Sequence, residues 1–97
     1  QELLIEFEPF GIGNPEPVFL TRNLKVESSK TVGKDNSHLK LTLSDSSGKI
    51  LESVGFGLGS QKPLDGDRID IVYNLRENTW NSRKKLEARI KDLKVTN

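Results

Sequence analysis

Four features of this sequence have residue types and spacing that could do chemistry. They are the glycine run Gly55-Phe56-Gly57-Leu58-Gly59, the acidic pair in Asp65-Gly66-Asp67, the single histidine His38 and the single tryptophan Trp80. The glycine run looks like a phosphate cradle, in which successive backbone N–H groups turn toward an anion. It lacks the Gly-x-x-x-x-Gly-Lys-Ser/Thr register, and no helix or lysine follows in the required place. Read as a strand end, its glycines let a small barrel turn a corner. Asp-Gly-Asp directly before an apolar strand marks a turn. One histidine, no cysteine and scattered aspartates do not supply the ligands of a two-metal nuclease. The serines fall in turns and His38 has no evident orienting acid, so no nucleophile–base pair is expected. The chain is therefore expected to bind and not to catalyse, with no metal or other cofactor of its own.

The elements that must position these residues are strands. Ninety-seven residues bound one domain, and a hydrophobic share of 33% with 30% charged residues leaves a thin core. Residues 1–17 read as a linker carrying the tail of a preceding element. They end in Pro9-Phe10-Gly11-Ile12-Gly13-Asn14-Pro15-Glu16-Pro17, whose prolines and glycines exclude helix and central strand. Residues 18–97 read as the folded domain. Val18–Val32 is long and rich in β-branched residues. His38–Ser44 alternates cleanly with Leu39, Leu41 and Leu43 on one face. Asp45-Ser46-Ser47-Gly48 is a hairpin turn into a strand over Lys49–Phe56. Arg68–Arg76 alternates again with Ile69, Ile71, Tyr73 and Leu75 inward. Glu77–Lys84 is a polar loop, and Lys85–Val95 closes the series with Leu86, Ala88 and Ile90 inward. The longest break, between the third and fourth of these five strands, holds no more than a helical turn or two. That order predicts an all-β, five-stranded Greek-key barrel of the OB type with an extended Pro/Gly-rich lead-in.

Charge is distributed unevenly over this frame. Residues 1–17 carry a net −4 and residues 50–75 a net −2, against +3 for residues 18–49 and +4 for residues 76–97. The two basic blocks contain the loops after the first and fourth strands, which an OB-fold sets on either side of its oligonucleotide-binding face. Lys34, His38 and Lys40 on one side, and Arg76, Trp80, Arg83 and Lys84 on the other, are the candidate nucleic-acid-binding residues. Trp80 sits in a polar segment beside Arg83, where it either stacks a base or folds back to plug the barrel end. No apolar run approaches the roughly 20 residues that span a bilayer. No signal peptide is visible, and the absence of cysteine suits a cytoplasmic location.

Longer stretches of sequence add a family to the pattern. Glu8-Pro9-Phe10-Gly11-Ile12-Gly13-Asn14-Pro15-Glu16-Pro17-Val18-Phe19 resembles the lead-in to the OB domain of RecJ-type exonucleases. The likeness continues through Val32-Gly33-Lys34, His38-Leu39-Lys40-Leu41, Gly55-Phe56-Gly57-Leu58-Gly59, Asp65-Gly66-Asp67-Arg68, Asn78-Thr79-Trp80-Asn81 and Ile90-Lys91-Asp92. One departure is Ser82, where the family pattern leads one to expect glycine. The resemblance implies a parent enzyme that degrades single-stranded DNA from its 5′ end in recombination and repair, using Mn²⁺ or Mg²⁺. It implies that the metal ligands lie in a separate catalytic core that precedes this domain, so no catalytic residue carries over. It implies single-stranded DNA as the partner held by the barrel. Alternative readings are a protein-interaction module, meeting for instance the acidic tail of a single-strand-binding protein, and a structural spacer.

Overall fold

A computed structural model of the chain describes residues 3–7, 17–80 and 82–97, with side chains for 17–77, 82–83 and 85–97. The strands are β1 (Leu3–Phe7), β2 (Pro17–Val32), β3 (His38–Ser44), β4 (Ile50–Gly55), β5 (Arg68–Trp80) and β6 (Arg83–Val95). Short 3-10 turns at Lys34–Asn36 and Gly59–Gln61 occupy the β2–β3 and β4–β5 connections. Strands β2 to β6 close into a mixed barrel in the order β2-β3-β4-β6-β5, with β5 returning to β2. Only β4 and β6 run parallel, Ser53 beside Ala88 and Val54 beside Arg89. This is an OB-fold-like barrel, as the strand series predicts. The additional β1 lies antiparallel along the first part of β2, Leu3 opposite Thr21 and Phe7 opposite Pro17.

One long strand serves two neighbours. Residues 19–25 of β2 pair with β5, and residues 25–32 pair with β3. Bulges at Arg22–Asn23 and at Glu27 bend it between the two partnerships. A bulge adds twist and turns a strand, which a small barrel requires for closure. Asn23 takes φ 60 there, and its backbone N–H donates to Asp70 Oδ1 at 2.9 Å.

The alternating apolar residues meet inside. Leu39, Leu41 and Leu43 are fully buried with Val26, Ile69 and Ile71, and Leu24, Tyr73, Ala88 and Ile90 complete the cluster. Each buried aliphatic side chain contributes about 1.5–3 kcal/mol. The Tyr73 hydroxyl shares a buried hydrogen bond of 2.8 Å with Thr21 Oγ1, and its ring stacks on Phe19 at 5.5 Å.

Two inward expectations fail at the rim. Leu75 and Leu86 keep the inward parity of their strands yet remain 36% and 58% exposed. Beyond Phe19–Tyr73 strand β5 has left β2, and before Ser53–Ala88 strand β6 has not reached β4. The pair instead continues outward as a two-stranded arm. Residues 77–84, expected as a polar loop, are consequently almost all strand: Glu77 pairs with Leu86, Thr79 with Lys84 and Trp80 with Arg83. The described side chains of this ribbon are exposed on both faces, Arg83 and Lys85 on one and Glu77 and Leu86 on the other. The period-2 signal of a half-buried strand is therefore missing there.

Candidate nucleic-acid interface

Register decides which side chains share the outer surface. Because Leu39, Leu41 and Leu43 point inward, His38, Lys40 and Thr42 point out. Lys40 lies opposite Lys30 on β2 and Val54 on β4, and Val54 lies beside Arg89 on β6. Lys30, Lys40, Val54 and Arg89 therefore form one row across four strands. At about 4.8 Å between strands the row is roughly 14 Å long. On one side of it stand His38 and Phe56. On the other, Thr42 Oγ1 donates to Glu52 Oε1 at 2.8 Å, so the surface turns polar and acidic. Lys30 and Lys40 are both exposed, and among the described residues neither has a carboxylate within ion-pair reach. Like charges directly opposite on paired strands repel. An anion lying across the pair removes that cost.

The neighbouring aromatic cluster is held by backbone. His38 Nδ1 accepts the Gly57 N–H at 3.0 Å, which leaves Nε2 as the protonated nitrogen of the neutral ring. The His38 ring meets Phe56 edge-on at 5.3 Å, and the Arg89 guanidinium lies 5.0 Å from the Phe56 ring centre. Arg89 Nε is shielded from solvent and 3.4 Å from Glu87 Oε1, without the alignment of a hydrogen bond. Two glycines make room for this arrangement. Gly33 takes φ 84, and a Cβ on it would stand 2.7 Å from His38 Cδ2. The Gly59 N–H donates to Ser37 O at 3.0 Å, and a Cβ there would collide with the Asn36 carbonyl oxygen. The glycine run is thus a clasp that fastens the chain after β4 to the β2–β3 loop.

The sequence-derived residues fall into two groups. Lys34, His38 and Lys40 gather at the β2–β3 end, Lys34 opening the 3-10 turn in which its carbonyl accepts the Ser37 hydroxyl at 2.9 Å. Arg76 stands on β5 opposite Glu87. Arg83 is exposed at the arm's turn, six residues along β6 from Arg89, or about 20 Å. The side chains of Trp80 and Lys84 lie outside the described residues. Lys30, Phe56 and Arg89 were not singled out by sequence reasoning. Arg89 was within its reach, since it sits between the inward Ala88 and Ile90. Lys30 was not, because the bulge at Glu27 resets the parity of β2.

The remaining acidic motifs are structural. Asp67 Oδ2 accepts the Leu64 N–H at 3.0 Å and Oδ1 accepts Asn97 Nδ2 at 3.2 Å, so Asp65-Gly66-Asp67 is a turn. Asp45 Oδ1 accepts the Ser47 hydroxyl at 2.7 Å and the Lys49 and Ser47 N–H groups, each at 2.9 Å. The Ser47 hydroxyl foremost, then the Lys49 N–H, hold this carboxyl below its usual range. Among the described residues no group of three or more His, Asp or Glu side chains converges to hold a metal ion. The metal implied by the resemblance finds no donor set among the described residues.

A family model described as the RecJ OB domain matches residues 2–92. The chain belongs to the RecJ OB-domain family. The single-stranded-DNA-specific exonuclease RecJ of Bacillus subtilis (strain 168) is 38% identical over 90 residues, which cover 91% of this chain. The same match spans 11% of that relative's length. The RecJ OB domain is thus a small part of a much longer relative, and the basic row, the aromatic cluster and the glycine clasp all fall within the matched region.

Proposed function

We propose that this RecJ OB domain holds single-stranded DNA for a 5′-directed, single-strand-specific exonuclease. Phosphates lie along the Lys30–Lys40–Arg89 row, with Lys34 and His38 at its β2–β3 end. The arm bearing Arg76, Trp80, Arg83 and Lys84 forms the far wall. The observation that carries this reading is the Lys30–Lys40 pair, without a carboxylate partner among the described residues, on the outer face of a barrel from this family. Two lysines held opposite each other cost stability unless a polyanion lies across them. The relative's name supplies the substrate: an enzyme specific for single-stranded DNA needs a surface that receives that strand.

In the parent enzyme a catalytic core precedes this domain and carries the Mn²⁺ or Mg²⁺, and the enzyme works in the cytoplasm in recombination and repair. Residues 1–17 lead from that core into the barrel of residues 18–97, with β1 lying along β2. Among the described residues no helix is long and apolar enough to cross a membrane. A single-strand-binding protein is a further partner of the same enzyme. The test is a titration of the chain with a short single strand and with duplex at two salt concentrations. Tighter, salt-dependent binding of the single strand supports the reading. No binding even at low salt, or displacement only by an acidic peptide, makes the barrel a spacer or a protein-binding module.

A further inference from the structure

We propose that Phe56 is a nucleobase-stacking platform, with His38 and the Arg89 guanidinium as its supports. This deepens the single-strand reading above and rests on it. Phe56 follows the last residue of β4 and is 57% exposed. A large apolar ring with more than half its surface in water beside a basic row gains only part of what burial would give it, yet it is not loose. His38 meets it edge-on at 5.3 Å, Arg89 lies 5.0 Å from its centre, and the Gly57 N–H fixes His38 through Nδ1. The clasp at Gly59 fastens the segment that follows. An aromatic held in one orientation loses little freedom when a flat ring settles on it, and base stacking accepts any base because each has a π-face.

Position relative to the charges supports the same conclusion. Lys40 is opposite Val54, and Phe56 is two residues farther along the chain, so the ring stands one step off the phosphate row on its non-acidic side. A single strand whose phosphates follow the row has its bases to one side. Toward Thr42 and Glu52 they would meet a carboxylate; toward His38 and Phe56 they meet rings. The Arg89 cation is attracted to the ring face it covers, which helps hold the ring in place. The alternative role for the ring, sealing the barrel core, does not fit its exposure or its absence from the buried cluster.

The test compares the 97-residue chain and its Phe56→Ala and Phe56→Trp variants. Each is titrated with an oligothymidylate and with a wholly abasic oligonucleotide of the same length. Thermal melting confirms that the variants remain folded, as an exposed position allows. Phe56→Ala should weaken oligothymidylate binding roughly 5- to 150-fold with the salt slope unchanged, and leave abasic binding within about twofold. Phe56→Trp should retain the wild-type affinity. The platform is refuted if Phe56→Ala binds oligothymidylate like the wild type, or loses equally on the abasic strand, while the wild type still binds in a salt-dependent way. If the wild type binds neither strand, the single-strand reading itself fails and takes the platform with it.

Discussion

Single side chains in this domain do sharply different work, and Asp45 and Ser82 separate two kinds. The Asp45 carboxylate closes the β3–β4 turn by accepting from the Ser47 hydroxyl and from two backbone N–H groups. Its folded-state pKa is lowered, so its contribution to stability is complete above the ordinary carboxylate range near pH 4. It is lost as pH falls through the folded value. Asp45→Asn should therefore reduce melting temperature at neutral pH and narrow the gap to wild type below about pH 4. Melts at pH 7 and pH 3 check this; a gap that stays constant would mean that the charge is irrelevant to the turn. Ser82 has no such partner among the described residues. It holds φ 62 at the tip of the arm, a left-handed value that costs a side-chain-bearing residue about 1 kcal/mol. Ser82→Gly should stabilise the domain by up to about 1 kcal/mol, read by urea denaturation. A destabilised variant would show that the turn is not left-handed.

At the scale of elements, the glycine clasp is the part whose loss should be felt farthest. Gly59→Ala forces the Asn36 carbonyl away and should cost about 1–3 kcal/mol, by equilibrium unfolding, as overpacked sites do. A neutral Gly59→Ala would mean that the β2–β3 loop yields freely and cannot hold His38 in place. The purpose of that run was hidden in the sequence because its partners, Asn36 and Ser37, are more than twenty positions away. The barrel strands were legible because period-2 alternation survives wherever one face is buried: Leu39, Leu41, Leu43, Ile69 and Ile71 all point inward. The same rule misplaced Leu75 and Leu86, which keep inward parity past the rim yet stay exposed, and it missed the arm because residues 77–84 do not alternate. The candidate site was legible in its charges but not in its rows. Lys40 and His38 follow from the parity of β3, whereas placing Lys30 beside Lys40 requires knowing of the bulge at Glu27.

Over the whole molecule, a thin core supports a surface that carries like charges close together. Ten of the described residues form the buried cluster, so Leu41→Ala, fully buried within it, should cost about 2–5 kcal/mol by urea denaturation. That is a large share of the roughly 5–15 kcal/mol available to a domain, and a loss below about 1 kcal/mol would contradict the full burial of Leu41. Keeping Lys30 opposite Lys40 costs only part of that margin, roughly 0.2–1 kcal/mol, and under the proposed function a strand lying across the pair offsets it. The most direct measurement is the salt dependence of single-strand binding by the Lys30→Ala/Lys40→Ala double variant. It should fold at least as stably as wild type, because a repulsion has been removed. Its plot of log affinity against log salt should flatten by about 1.4 if two phosphate contacts are lost, at about 0.7 each. A variant that binds single strands with wild-type affinity and an unchanged slope would contradict the account, because the row would then not be where the strand lies.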